Sequence, residues 1–130
     1  MREDEDVADK PIRIFIGRAD DYVSVAACRA YVERLKTKGK NVQLTEYEGA
    51  GHNFDNRALK TPVKLEKAQT VRHCECAEAE NGAIINVKTK QPFTYADPCV
   101  EYGPTLAYNE KAATEARKAV KDFVTTTLKP

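Results

Sequence analysis

The sequence lacks both a long apolar run and a concentrated charge of either sign. No stretch approaches the roughly 20 apolar residues of a membrane-spanning helix, so we predict no membrane segment. The 21 basic and 20 acidic side chains are spread along the chain and leave a net charge of +1. Because phosphate binding needs a concentrated basic surface, we do not expect nucleic acid as a partner. The first six residues are mostly acidic and lack the apolar core of a signal peptide, so no targeting segment is recognisable.

Histidine and cysteine are too few and too unevenly spaced for a typical zinc site, which uses four ligands. His73, Cys74 and Cys76 form one crowded cluster and Cys99 stands alone, so we expect no metal and no other cofactor. Cys28 lies on an apolar helical stripe and is predicted to be a small buried side chain. A disulfide to Cys99 would favour an oxidising compartment. Reduced thiols in a cytoplasm fit equally well, so the localisation stays open.

The length allows one domain, which would bury about two-thirds of the surface of its unfolded chain. Residues 1–10 are charged and without periodicity, and we interpret them as a flexible acidic lead-in. Residues 11–130 contain the regular patterns and therefore form the folded domain.

The stretch from Ile12 to Phe54 has the pattern strand, acidic turn, helix, strand, histidine turn. The strand Ile12–Ile16 is apolar on both faces, which is typical of a strand buried in a parallel sheet. Ser24 is predicted to cap a helix over residues 24–38, and Val42–Tyr47 is a second strand. A helix between two strands is the crossover of a right-handed βαβ unit.

The second half of the chain is less regular. Residues 55–69 are polar and are predicted to be a loop. Two apolar segments, 71–79 and 83–87, flank Asn81-Gly82 and predict a hairpin with a two-residue turn. Prolines and glycines then predict irregular chain until a helix over residues 110–128, which Asn109 would cap. The broad apolar face of that helix needs a sheet to pack against.

An acid follows the first strand and a histidine follows the second. The carboxyl ends of parallel strands meet at one edge of a sheet, so Asp20 and His52 should come together there. A carboxylate that fixes the tautomer of a histidine makes the histidine a general base. Asp21 is the rival for the acidic role, and Asp20 is preferred because it lies in the turn before the chain returns to apolar packing. Alternatively, both acids are turn formers and His52 is an ordinary loop residue.

These segments resemble the C-terminal part of dienelactone hydrolase family proteins, which have the α/β-hydrolase fold. The resemblance lies in the acid motif, the first helix, the histidine motif, two later segments and the final alanine-rich helix: residues 17–23, Cys28-Arg29, residues 49–54, 91–94 and 97–100, and the helix through Phe123. It implies hydrolysis of a carboxylic ester or a lactone through a Ser or Cys nucleophile on a strand–turn–helix elbow. By motif match Asp20 would be the catalytic acid and His52 the catalytic base. It also implies a disulfide between Cys74 and Cys99 rather than between Cys76 and Cys99.

The chain departs from the family at the nucleophile. No Gly-x-Ser-x-Gly or Gly-x-Cys-x-Gly motif occurs, and Ser24, the only serine, is placed as a helix N-cap. We therefore expect an incomplete parallel sheet: the C-terminal portion of an α/β-hydrolase, with a βαβ unit, a hairpin and a terminal helix. Such a chain would supply two members of a catalytic triad and would be inactive by itself.

The partners follow from the same expectation. A small-molecule ester or lactone would bind only to the complete enzyme, and exposed apolar edges would bind the missing N-terminal half or a second copy. An alternative is a non-catalytic binding or assembly module, in which the hairpin and Tyr95, Tyr102 and Tyr108 form a contact surface. A third hypothesis is a metal or redox site at the His73 cluster.

Overall fold

The computed structural model describes residues 6–128 of the chain. These residues form two helices and eight strands, most of the strands only two or three residues long. In chain order the elements are β1 (Ile12–Gly17), α1 (Val25–Thr37), β2 (Val42–Tyr47), β3 (Val63–Lys64), β4 (Gln69–Thr70), β5 (Cys76–Glu78), β6 (Ile84–Asn86), β7 (Glu101–Tyr102), β8 (Thr105–Leu106) and α2 (Glu110–Thr127). No helix within this described part is both long and apolar enough to span a membrane.

The predicted βαβ unit is present. Strand β1 pairs with β2 in parallel, from Ile12 opposite Val42 to Gly17 opposite Tyr47. Helix α1 connects them and begins where the sequence predicts, because the side chain of Ser24 accepts a hydrogen bond from the backbone N–H of Ala27. This cap satisfies one of the N–H groups that a helix start leaves without a partner.

One part of the core lies between α1 and the sheet. Val32 and Leu35 of α1 are buried against Val42, and half-buried apolar side chains of both strands surround them. Val7 packs against the same cluster. Of the lead-in predicted over residues 1–10, the first five residues lie outside the described part of the chain. The division at residue 10 stays a prediction.

A second cluster lies on the other face of the sheet, where the buried side chains of α2 come from its first half. Ala112 and Ala116 are buried against Tyr47, Ala50 and Phe54. In the second half of the helix the apolar face is exposed, at Val120, Val124 and Leu128. The prediction of a broad apolar face is correct, but the sheet of the described residues covers only part of it.

The expected burial of β1 on both faces is wrong for most of the strand. Only Ile16 and Gly17 are buried, and the residues before them are half-buried. The reason is that β1 has a single strand neighbour, β2, among the described residues. The backbone N–H of Ile12 donates to the carbonyl of Asn41 beside β2. By the alternation of a strand, the backbone groups of Arg13 and Phe15 therefore point to the unpaired edge.

The middle of the chain is more ordered than its sequence predicts. The predicted loop 55–69 contains β3 and the first residue of β4, which pair with β8 and β7, respectively, in the segment predicted to be irregular. The hairpin is also shorter than predicted: β5 and β6 occupy residues 76–78 and 84–86. Strands of two residues have no periodicity that a sequence pattern could reveal.

The hairpin turn differs from the predicted two-residue type. The backbone N–H of Gly82 donates to the carbonyl of Ala79, and the N–H of Ala79 donates to the carbonyl of Ala83. Glu80, Asn81 and Gly82 therefore form a three-residue loop, with Gly82 at a φ of 83°. Asn-Gly signals a hairpin in both cases, because a glycine with positive φ also closes the longer loop.

Cys74 and Cys99 form a disulfide, the pairing that the family resemblance implies. Cys76 is a free and exposed thiol, and Cys28 is free and half-buried rather than fully buried. Because the disulfide uses the Cys74 sulfur, the cluster around His73 loses one of its candidate metal ligands. Within residues 6–128 no group of three or more His, Cys, Asp or Glu side chains is arranged to hold a metal ion.

Candidate active site

The turns after β1 and β2 are pressed together at the carboxyl edge of the sheet. The N–H of Arg18 donates to the carbonyl of Tyr47, and the N–H of Ala19 donates to the carbonyl of Ala50. Gly17 allows this approach, because a Cβ atom there would lie 2.1 Å from the carbonyl oxygen of Ala50. Because Gly17 has no side chain, the turn after β1 (the acid turn, residues 18–23) can lie beside the turn after β2 (the histidine turn, residues 48–54).

Asp20 and His52 meet at this edge. Oδ2 of Asp20 lies 3.0 Å from Nδ1 of His52. Oδ1 of Asp20 accepts hydrogen bonds of 2.8 Å from the N–H groups of Tyr22 and Val23, which fix the carboxylate in its turn. A carboxylate only accepts hydrogen bonds, so we assign the proton of the imidazole to Nδ1. Nε2 is then the nitrogen that can accept a proton.

The side chains of Asp20 and His52 differ in burial. The Asp20 side chain is 6% exposed, whereas that of His52 is 29% exposed. The ring of Tyr22 covers part of the imidazole, with the two ring centroids 4.9 Å apart. The backbone of His52 is also fixed, because its carbonyl accepts a hydrogen bond from the N–H of Ala107, next to β8. His52 is therefore held from the protein side and accessible from the other.

The neighbouring acids Asp20 and Asp21 have different hydrogen-bond partners. Oδ1 of Asp21 accepts a hydrogen bond of 2.9 Å from the N–H of Thr105, so Asp21 connects the turn to β8 and is not the partner of His52. Asp20 stabilises the turn and also binds His52. The two interpretations of Asp20, as a turn former and as the partner of the histidine, therefore both apply. The catalytic roles of Asp20 and His52 stay predictions.

Neither of two candidate nucleophiles near the acid turn is activated. Ser24 caps α1 through its side-chain oxygen. Burial, and secondarily the negative charge of Asp20, raise the pKa of the Cys28 thiol, which keeps this cysteine protonated at neutral pH. A nucleophilic cysteine needs the opposite shift. These two side chains act in packing and capping.

Ser24 gives a test of this structural role. Replacing Ser24 by alanine should lower the free energy of unfolding by about 1 kcal/mol, because the N–H of Ala27 loses its acceptor. Urea unfolding followed by circular dichroism measures the change. Ser24→Asp is the matched control, since its carboxylate also caps a helix and should restore most of the stability. If alanine and aspartate have equal effects, Ser24 is not a cap.

Two residues of the site were not singled out by the sequence. Thr70 is a buried polar residue whose hydroxyl contacts the acid turn, and Thr105 holds Asp21. A lone threonine in a polar loop has no sequence signal, because its function depends on a partner far away in the chain. Tyr22, by contrast, belongs to the acid motif, so its position beside His52 follows from that motif.

The sequence model of the dienelactone hydrolase family matches residues 2–128, nearly the whole chain. Searches of curated proteins and of solved structures found no match.

Proposed function

The chain belongs to the dienelactone hydrolase family, and we propose that it supplies the acid and the base of an ester or lactone hydrolase. In this proposal Asp20 is the triad acid and His52 the general base. The observation that carries the proposal is the 3.0 Å contact between the carboxylate of Asp20 and Nδ1 of His52. It leaves Nε2 as the proton acceptor on an accessible imidazole.

The nucleophile of this proposal lies on another polypeptide segment. A serine or cysteine there would attack the carbonyl carbon of the substrate while Nε2 of His52 accepts its proton. The same imidazole would then give the proton to the leaving alcohol, and water would cleave the acyl intermediate in a second, similar cycle. Asp20 stays ionised throughout and stabilises the imidazolium that forms in each cycle.

The unpaired edge of β1 supports a docking site for that segment. The backbone groups of Arg13 and Phe15 are free to pair with a further strand. Beside this edge lies an open groove of about 580 Å³, lined largely by apolar side chains that include Phe54 and the exposed Val120 and Val124. A strand and a helix that carry the nucleophile would cover both features. A second copy of the chain is the other occupant that this edge allows.

The isolated chain is expected to be almost inactive. An acid and a base without a nucleophile lack the covalent route, and without an oxyanion hole they lack what is usually the largest electrostatic contribution. The chain alone should therefore hydrolyse p-nitrophenyl acetate at the rate of the buffer. Addition of a separately expressed N-terminal half of a family member, with its Gly-x-Ser/Cys-x-Gly elbow, should raise the rate above that of either half.

The two histidines of the chain give a matched pair of variants for this assay. His52→Ala should abolish the gained activity. His73→Ala should retain it, because His73 is an exposed side chain outside the proposed site and its partner, Glu101, keeps the shorter contact with Arg72. If the mixed halves bind each other but gain no activity, or if both variants are equally active, the proposal of an acid–base half is wrong.

A non-catalytic binding or assembly module is the second candidate function. Its supporting observation is that Tyr95 and Tyr102 are each 62% exposed. Gln69 connects them, with Nε2 donating to the hydroxyl of Tyr102 and to the carbonyl of Tyr95. Tyr108 is half-buried and contributes less to such a surface than its sequence position suggests. This function would survive His52→Ala and would be lost in a Tyr95→Ala, Tyr102→Ala double variant.

A further inference from the structure

We infer that Thr70 is a positioning residue for the Asp20–His52 pair. We also infer that the Cys74–Cys99 disulfide regulates this positioning by holding Thr70 in place. Only the consequence of this inference for catalysis rests on the proposed function. The structural part concerns one hydrogen bond and the short strand pair that holds it in place.

Thr70 reaches the acid turn from a distant part of the chain. Its side chain donates a hydrogen bond of 2.7 Å from Oγ1 to the carbonyl oxygen of Tyr22, 48 residues away. Oγ1 of Thr70 also accepts a hydrogen bond of 3.2 Å from the N–H of Arg72. Thr70 is 3% exposed, so the hydroxyl is shielded from water that could replace it. A buried hydroxyl with two partners has a defined orientation.

The carbonyl that Thr70 binds belongs to the peptide group between Tyr22 and Val23. The N–H of that peptide group donates to Oδ1 of Asp20 at 2.8 Å. A peptide group is planar, so the bond from Thr70 on one side fixes the direction of the N–H on the other. The bond therefore holds Oδ1 of Asp20 in place, and with it the orientation of Oδ2 toward His52.

Thr70 is itself held by a structure that we call the brace, residues 69–74 and 99–102. In the brace β4 pairs with β7, with Thr70 opposite Glu101. Nε of Arg72 contacts Oε2 of Glu101 at 2.9 Å, and the Cys74–Cys99 disulfide closes the brace beyond this pair. The pair has only two residues in each strand, and among the described residues no further strand pairing extends it toward Cys74 and Cys99, so the covalent bond should keep this end closed.

Reduction of the disulfide would open the brace. A small dithiol is the reductant: its two sulfurs form a disulfide, and the sulfurs of Cys74 and Cys99 each take one electron and one proton. Thr70 would then be held without a covalent link, by the short β4–β7 pair, the Arg72–Glu101 contact and the backbone hydrogen bond between Gly103 and Ala68. The bond to the Tyr22 carbonyl would be made for a smaller fraction of the time, and Asp20 would lose its fixed orientation.

The test uses the full chain, without any assay of activity. Amide hydrogen exchange at Tyr22 and Val23 measures how often the acid turn opens, and the ¹⁵N chemical shifts of His52 report its tautomer. Thr70→Val should increase exchange at both amides about fivefold, the expected effect of one lost hydrogen bond. It should also shift the ¹⁵N signals of His52. Thr70→Ser should restore both measurements, because it retains the hydroxyl.

Three comparisons complete the experiment. Thr94→Val, which removes a hydroxyl bonded to Asp97 away from the acid turn, should change neither measurement. A Cys74→Ser, Cys99→Ser variant and the dithiol-reduced chain should both resemble Thr70→Val. The amides that pair β1 with β2 should stay protected in every sample, which separates a local effect from unfolding.

Two results would overturn the inference. One is normal exchange at Tyr22 and Val23 in a folded Thr70→Val chain; the other is an equal increase at all amides, since Thr70 would then serve only stability. The outcome is independent of the mixing experiment with an N-terminal half. Where that experiment yields activity, Thr70→Val should lower kcat and leave KM nearly unchanged.

Discussion

Replacing Gly17 by alanine is expected to lower the free energy of unfolding by about 3 kcal/mol or more, at the upper end of the range for an overpacked site. The added Cβ would lie 2.1 Å from the carbonyl oxygen and 2.5 Å from the carbonyl carbon of Ala50. Both are backbone atoms, and Ala50 is fully buried, so the clash cannot be relieved by turning a side chain. The acid turn or the histidine turn must move.

This cost is large against the roughly 5–15 kcal/mol by which domains are stable. Urea unfolding measures it, and Gly51→Ala, in the facing turn after β2, is the matched control. At Gly51 the nearest atom to an added Cβ is the carbonyl oxygen of Ala19, 3.9 Å away, which is an ordinary contact. A Gly17→Ala chain as stable as Gly51→Ala would show that the two turns are not pressed together.

Replacing Asp20 by asparagine is expected to lower kcat of the reconstituted enzyme by about 10⁴-fold, the effect of a wrong histidine tautomer in a triad. The asparagine oxygen can still accept from the N–H groups of Tyr22 and Val23, so the turn should keep its shape. The amide NH₂ would then face His52 and donate to Nδ1. This places the imidazole proton on Nε2, the atom that must accept a proton from the nucleophile.

The tautomer change can be measured in the isolated chain by the ¹⁵N shifts of His52, before any assay. Asp21→Asn is the matched control: its oxygen can still accept from the N–H of Thr105, and it does not contact His52. We expect normal activity and a normal tautomer for this variant. Equal losses from the two substitutions would mean that Asp20 has no special role, and an unchanged tautomer in Asp20→Asn would contradict the assigned hydrogen bond.

The elements with local signals were predicted well. Both helices begin one residue after their predicted caps, Ser24 and Asn109, because capping is a contact within one helical turn. The two long strands follow from runs of apolar and β-branched residues. The meeting of Asp20 and His52 follows from two facts, the parallel order of these strands and the position of each residue just after a strand end.

Other features could not be read from local patterns. The role of Asp21 depends on Thr105, which lies 84 residues further along the chain and supplies its hydrogen bond. The half-buried state of β1 depends on how many strands stand beside it. An apolar strand has the same sequence pattern in the centre of a sheet and at an unpaired edge.

The sequence by itself therefore determined the helices, the βαβ order, the family and the candidate pair, since caps, periodicity and motifs are properties of neighbouring residues. The tertiary structure alone decided the hydrogen-bond partner of Asp21, the burial of Thr70 and the exposure of the β1 edge and of the second half of α2. These depend on contacts between residues tens of positions apart, whose geometry no short pattern encodes.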